Sequence, residues 1–557
     1  MEGRISRRSF LTGAGAVALG AAALGVAGCA PNSNGSGAAS SSDAAKPSAD
    51  RWSWSTTPEP PTDDEVSEEI DCEVLVVGLG SGGVPATVYA AAMGADVVAL
   101  TAGDVPEGEG AYIGAYNTKY DEQYGISYDP ALLRSEYSYW GFGSNNSDVT
   151  GTIWDRSGEA VDWFAEYCKD VWAYECGPDS EINEGIHIRE TATHMVYVFP
   201  DPNEQQEQER VYSGFPKFLQ AACDKAEGEG ARIYYSTPAT QLIREDGGRV
   251  SGAYAQKEDG SYLKINASKG VLLATGDFHQ NDEMLEAWLP LMRGDLTTRN
   301  PYGNAQGDGQ KMAWWVGAEQ DTGPFNIGLC WPHDFEFAKN SPSRWGSLPW
   351  LRVNIAGERY TNETIGQHEW YSTSPMCLMD VKQPGHTGYQ ICDSKYGQML
   401  EGNESEIAIF DDCVERGVIF SADTIEELAE QVGFTNPDRL AETVKRYNEL
   451  CASGSDSDFG IPSEYLAYTS ITEPPFYCMH REVLKQWTDG GVNTNRYCQV
   501  LDESHEPIEG LYAAGNIRSG LAGTHYLWKS FGSNKLNAVT GSMLSVKHML
   551  GTWDEAF

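Results

Sequence analysis

The chain is poor in basic residues: 39 Lys and Arg stand against 81 Asp and Glu, a formal net charge of −42 over 557 residues. A surface of that sign repels a phosphate backbone, which excludes nucleic acid as a partner, and it disfavours adsorption to anionic lipid. The 12 cysteines never fall in a Cys-x-x-Cys pair. A zinc ribbon, a ferredoxin-type cluster and a Cys-x-x-Cys-His haem attachment are thereby excluded, and no metal site is expected. The cysteines read instead as buried thiols acting as small apolar side chains. Beyond the first 30 or so residues no run is long and apolar enough to span a bilayer. Hydrophobic residues are plentiful at 41%, with 16 Trp and 28 Tyr, so a large core and wide stacking surfaces are available. The length predicts two folded domains besides any targeting segment.

The N-terminus carries such a segment. Ser6-Arg7-Arg8-Ser9-Phe10-Leu11 precedes an Ala/Gly-rich apolar stretch up to Gly28 and resembles a twin-arginine export signal. Val26-Ala27-Gly28-Cys29 resembles a lipoprotein cleavage box, which would make Cys29 a lipidated residue; a plain signal peptide is the alternative. Residues 1–30 are thus expected to be a signal and 31–68 a Ser/Ala/Gly-rich flexible linker. Export to the cell surface or periplasm follows, with membrane contact only through a lipid at Cys29.

The next stretch, "CEVLVVGLGSGGVPATVYAAAMGADVVAL", predicts an apolar strand at Val74 to Val77, a turn, a small-residue helix and a second strand at Val97 to Leu100. The turn reads Gly78-x-Gly80-Ser81-Gly82-Gly83. Glycines at this spacing allow a tight turn, close backbone approach to a pyrophosphate, and close helix-to-strand packing. The helix N-terminus offers free N–H groups to phosphate. The second strand lacks the usual ribose-binding acid at its end and has Thr101 there; either its hydroxyl or nearby Asp104 would serve. Four more stretches fit the same α/β pattern. "YYSTPATQLI" with "GGRVSGAYAQ" predicts a strand and a β-ribbon. "KGVLLATGDFHQNDEM" predicts a strand ending at Ala274-Thr275-Gly276. "NAQGDGQKMAWWVGA" leads Gly307-Asp308-Gly309 into a helix. "IEGLYAAGN" predicts a strand ending at Gly515, followed by a glycine-to-helix entry in "FGSNKLNAVTGSMLSVKHML".

With "GERYTNE" (Gly357 to Glu363), which resembles a G-[KE]-R-[FY]-x-N-E signature, these stretches make the chain similar to the flavoprotein family of fumarate reductase and succinate dehydrogenase catalytic subunits. Urocanate reductases and 3-oxosteroid dehydrogenases are relatives of that family. The resemblance implies an α/β fold: a Rossmann-like FAD-binding domain, with a parallel sheet flanked by helices and a β-ribbon, over 69–320 and 476–557. An α+β capping domain over 321–475 would be inserted in it. It implies non-covalent FAD, with Gly78, Gly80 and Gly83 at the pyrophosphate and Ser81 and Gly82 completing the turn. Thr101, Ala239, Ala274, Thr275 and Gly276 would lie along the adenosine half. Asp308, Gly515, Asn516, Ser533, Asn534 and Leu536 would approach the flavin, with the last helix directing its positive end at the ring.

The family's dicarboxylate clamps can be followed onto this chain, and each is replaced by a neutral residue. The two histidine places read Tyr302 and Trp487, and the two arginine places read Gln367 and Ser530. A carboxylate buried against such groups would be poorly paired, at a cost of several kcal/mol. Fumarate and succinate are therefore not the expected substrates. Trp487, Trp528, Tyr526 and Tyr302 suggest stacking walls for a ring. Reduction of an activated C=C also needs a proton donor and a polariser. The candidates are Tyr302, His368, Tyr371 and Tyr526 as acids and Arg518 as polariser or acid. The expected activity is an exported FAD-dependent reductase of an enoate- or enone-like bond on a ring-bearing small molecule. Electrons would come from a separate donor, such as a membrane cytochrome or small redox protein. The alternatives are a dehydrogenase of a cyclic ketone and a non-catalytic ligand-binding lipoprotein.

Overall fold

A computed structural model describes residues 51–557 except 109–111, 124, 141–142, 171–172, 178–192, 198–206, 295–297, 300–303, 322, 324, 331–347, 367–372, 401–403, 482 and 524–531. The export signal, Cys29 and most of the expected linker lie outside the described residues. Thr56–Phe557 forms one compact unit, and Arg51–Ser55 belongs to another, where Trp52 stacks on Trp54 at 5.3 Å. The expected linker boundary at residue 68 is thus too late. The first strand spans Val66–Val77, because its polar outer half, exposed at Ser67, Glu68 and Glu69, pairs with the 12-residue strand Tyr262–Leu273.

The main sheet has Val66–Val77 at its centre, flanked in parallel by Val97–Leu100 and Tyr262–Leu273. Arg232–Tyr234 extends one side in parallel. On the other side Pro507–Ala513 adds a further parallel strand, and Gln499–Leu501 an antiparallel one. The ribbon Ala239–Arg244 and Val250–Gln256 hangs antiparallel from Tyr262–Leu273. Val74 to Val77 are all buried, as a parallel strand covered on both faces requires. Their side chains alternate. Val74 and Val76 pack with Val84, Val88, Val539 and Met543 of two helices, while Leu75 and Val77 pack with Met312, Ala313 and Val492. The helix Gly83–Ala92 is built mostly from small and β-branched residues, with Tyr89 among them, and is buried from Gly83 to Ala91. The C-terminal helix Ser533–Leu550, also almost wholly buried, ends at Gly551 in the left-handed conformation (φ 75°).

The inserted region forms a separate four-stranded antiparallel sheet in the order Leu351–Val353, Gly388–Cys392, Phe476–Arg481, Ile419–Ala422. One face packs on the helices Ile425–Val432 and Pro437–Ser453 through Leu351, Val353, Ile391, Leu428 and Leu440. The other packs through Trp350 and Met479 on Phe410. Phe476–Arg481 therefore belongs to the inserted sheet. The chain returns only at Leu484–Asp489, which pairs with Asn326–Cys330 and Thr298–Arg299 in a small linking sheet. The return expected at residue 476 is corrected accordingly: the apolar run "FYCM" satisfies the lid core before the chain crosses back.

Candidate active site

The glycine-rich turn is built as its spacing suggests. Gly78 has φ 96°, and a Cβ there would lie 2.5 Å from the Ala274 carbonyl oxygen. A Cβ on Gly83 would overlap the Gly78 carbonyl oxygen, so only glycine lets the helix start this close to the strand. Gly80 and Gly82 face backbone too: their Cβ positions lie 3.0 Å from Glu107 O and 3.3 Å from Ala538 O. Ser81 between them is half-buried. Ala274 donates its N–H to Val77 O at 2.8 Å, which seats the Ala274-Thr275-Gly276 strand end beside the turn.

Other elements close on the same place. Gly309, at the start of the helix Asp308–Trp315, touches Thr275, and a Cβ there would overlap Thr275 Oγ1. Gln310 donates from Nε2 to the carbonyls of Gly276 (3.2 Å) and Gly490 (3.4 Å). Gly515 (φ 76°) lies against Ala538 of the C-terminal helix. Asn516 accepts the Gly490 N–H at 2.8 Å, and its Nδ2 donates to Asp277 Oδ2 at 3.4 Å. The C-terminal helix opens at Gly532 with no side-chain cap; Leu536, the first residue bonded back to Gly532 O, is fully buried. Ser533 and Asn534 contribute the first N–H groups of that helix. Thr101 lies a little apart with Ala239. Its N–H donates to Tyr234 O, and its carbonyl accepts from Thr237 just before the Ala239–Arg244 strand. Asp104, the alternative, is exposed. Asp308 is exposed and paired with Lys311 at 3.1 Å.

Buried polar atoms without a protein partner mark where a ligand fits. Thr275 Oγ1, Gln310 Oε1 and His279 Nε2 are among them, gathered around residues 275–279, as are Arg518 Nη1 and Nη2 and atoms elsewhere such as Trp350 Nε1. Together with the uncapped helix end and the Cβ-free turn, they suit a long polar cofactor with a pyrophosphate.

The proposed chemical residues are placed less completely. Tyr302, Gln367, His368, Tyr371, Tyr526 and Ser530 lie outside the described residues. Trp487 is half-buried on the strand Leu484–Asp489, opposite Gly328. Next to it Thr488 is fully buried, donates its N–H to Asp277 Oδ2 (3.1 Å) and accepts from Phe278 N (3.3 Å). The Trp487 strand is thereby tied to the strand end that carries Thr275. Arg518 is fully buried, with Nε on Thr494 Oγ1 at 2.9 Å and Nη1 beside Gly541, and burial lowers its pKa below the usual arginine value. Gly541 is the ninth residue of the C-terminal helix, so this charge sits about 12 Å from the helix start, beside its middle.

The signature "GERYTNE" is an internal clamp of the lid. Arg359 donates to both oxygens of Glu363 (2.9 Å from Nε to Oε1, 2.7 Å from Nη2 to Oε2) and to Asp456 Oδ2 at 2.7 Å. Its guanidinium lies between Phe459 (4.6 Å) and Tyr447 (5.1 Å). Asp456 also accepts N–H bonds from Asp458, Phe459 and Ile461.

Sequence reasoning missed Asp277 and His279. The signal was present two and four residues past Thr275, in "TGDFHQN", where an acid and an imidazole one residue apart follow the strand end.

This geometry defines a dinucleotide-binding flavoprotein with a second, four-stranded sheet inserted in its chain. The chain belongs to the FAD binding domain family, which it matches over residues 73–528. It is 26% identical to the vinyl phenol reductase of Lactiplantibacillus plantarum, covering 82% of this chain and 91% of that one. It is 28% identical to the digoxin reductase of Eggerthella lenta, over 94% of each. Its fold is similar to the open conformation of a flavocytochrome c3 fumarate reductase (TM-score 0.64, 23% identity, 90% of this chain and 82% of that one). The protein is an FAD-dependent oxidoreductase of the fumarate reductase type, a class that acts on C=C and CH–CH bonds.

Proposed function

We propose that the protein reduces an activated C=C bond, enoate- or enone-like, on a ring-bearing substrate that brings no dicarboxylate to be clamped. The observation that carries this reading is the strand Leu484–Asp489. It is pinned through Thr488 and Asp277 to the strand end that carries Thr275, and it carries the indole of Trp487 at the place where the family resemblance implies a histidine. The vinyl phenol reductase among the relatives supports a ring-bearing acceptor.

FAD, when bound, supplies the two-electron hydride chemistry. The chain's own residues do the rest. Gly78 to Gly83 let the backbone reach the pyrophosphate, and the N-terminus of Ser533–Leu550 favours negative charge placed before it. Thr275 Oγ1 and Gln310 Oε1 supply hydrogen-bonding partners. Trp487 offers an apolar face and excludes water. Tyr302, His368, Tyr371 and Tyr526 remain the candidate proton donors. Electrons come from a separate redox partner, and the twin-arginine and lipobox sequences support export, with a lipid at Cys29 as the anchor.

The test is a visible spectrum followed by reoxidation. Protein purified with its cofactor is yellow and is bleached anaerobically by dithionite. 4-Vinylphenol or cyclic enones then restore the colour, whereas fumarate does not. Rapid recovery with fumarate would overturn the proposed specificity. Bleaching of the oxidised protein by saturated cyclic ketones would reverse the direction of the reaction.

A further inference from the structure

His279 is 4% exposed, and its Nδ1 lies 2.7 Å from Asp277 Oδ1. Asp277 is itself 5% exposed. A carboxylate only accepts, so the shared proton sits on Nδ1 of the imidazole. The same carboxylate also takes the His279 and Thr488 backbone N–H groups (both 3.1 Å) and Asn516 Nδ2 (3.4 Å). These donors surround the carboxylate, and the imidazole tautomer with its proton on Nδ1 leaves Nε2 without one. Nε2 is then a bare acceptor. It is buried and has no partner in the chain. Leaving such an atom unpaired costs about 1–3 kcal/mol, a penalty folded proteins rarely carry outside functional sites.

Its place is informative. The pair follows Thr275 and Gly276 directly, at the carboxyl end of a central parallel strand, where open α/β sheets bind ligands. The carboxylate that holds the ring also holds Asn516 and the Trp487 strand. Thr275 Oγ1 and Gln310 Oε1, likewise unpartnered, belong to the same neighbourhood.

We infer that the Asp277–His279 pair is a preset hydrogen-bond acceptor of the ligand site, in which His279 Nε2 receives an O–H or N–H of the bound molecule. The donor belongs either to FAD or to the substrate, and the inference rests on the ligand site assigned above.

Histidine-selective ¹⁵N NMR of the full chain distinguishes the two sources. Nε2 in the FAD-free protein shows the resonance of an unbonded, unprotonated nitrogen. A shift on adding FAD assigns the donor to the cofactor. A shift only when 4-vinylphenol is added to the oxidised FAD-loaded protein assigns it to the substrate. No shift with either overturns the inference. His279→Leu is expected to weaken the corresponding binding, read by flavin fluorescence or by perturbation of the flavin band, about tenfold. His279→Gln, which keeps an acceptor, recovers much of the loss. Unchanged affinities for both molecules in His279→Leu would also overturn it. If that variant does not fold, the wild-type resonances decide. A protein that reduces none of the acceptors tested would sink the proposed reaction, yet the FAD arm would still read His279.

Discussion

In the lid, Arg359 lies between Glu363 and Asp456, and each of these buried charges has its counter-charge within the chain. At the carboxyl end of the main sheet, Thr275, His279 and Gln310 keep polar atoms buried and unpartnered. The two regions are comparably buried, so burial alone does not separate a structural cluster from a working one. The difference is completeness. A network closed on itself stiffens the element that carries it, whereas one left open is completed by something from outside. The signature "GERYTNE" therefore marks the lid's frame. The less conspicuous "TGDFHQN" carries the open acceptor that the proposal assigns to a ligand.

Substitutions can break this contrast, and the largest effect is expected at the glycine turn. Gly83→Ala would put a methyl group into the Gly78 carbonyl oxygen. A loss of about 3 kcal/mol or more is expected, with colourless protein after purification. Gly228→Ala, where a Cβ meets nothing within 4 Å, is the control and keeps both colour and melting temperature.

Next is the closed lid cluster. Arg359→Met leaves Glu363 and Asp456 buried without their cation and should cost about 3–5 kcal/mol. Because the damage is confined to the lid, hydrogen exchange should accelerate over Leu351–Val353 and Pro437–Ser453 while flavin remains bound. Loss of flavin at the same rate would show that the two regions are not separable.

Within the same cluster Asp456 predicts an acid limit, whereas burial raises the Glu363 pKa, so that Glu363 contributes with the opposite sign. Burial would raise the Asp456 pKa, but the Arg359 guanidinium and three backbone N–H groups outweigh it and hold the carboxyl well below its usual range. A depressed folded pKa contributes stability that is present above the unfolded value of about 4 and is lost as pH falls towards the folded value. Lid stability, followed by hydrogen exchange, should thus decline below about pH 4. Asp456→Asn should start less stable and show a flatter decline.

A smaller effect is expected at the aromatic wall. Trp487→Ala should raise KM for a ring-bearing acceptor about tenfold with little change in melting temperature. An unchanged KM would remove Trp487 from the substrate surface. The smallest effect is on the lid surface, where Arg439 and Glu442 form an exposed pair at 3.0 Å. Arg439→Ala should leave the melting temperature and the flavin spectrum unchanged.

The strands and the glycine turn were legible because their signals are local. Val74 to Val77 form an unbroken apolar run, and the glycines follow at fixed spacing. The outer half of the same strand was not legible, since Ser67 and Glu68 are solvent-facing and read as linker until Tyr262–Leu273 is known to lie beside them. The lid boundary failed for a related reason. Phe476–Arg481 and Leu484–Asp489 follow each other closely in the chain, and only strand pairing assigns them to different sheets. The positions of Thr101, Ala274 and Gly515 at or just past strand ends could be read from the pattern. Arg518 could not, because its side chain turns to the middle of a helix that begins fifteen residues later.

By itself the sequence determined the sheet order's central strands, the phosphate-facing turn and the neutral character of the former clamp positions, since each depends on residue type at short spacing. Tertiary structure alone decided which buried charges are closed and which polar atoms stay open. Arg359 meets Asp456 across a long separation, as Asp277 meets Thr488 and Asn516. Hydrogen bonding is set by distance in space, and the spacing of residues along a chain does not contain it.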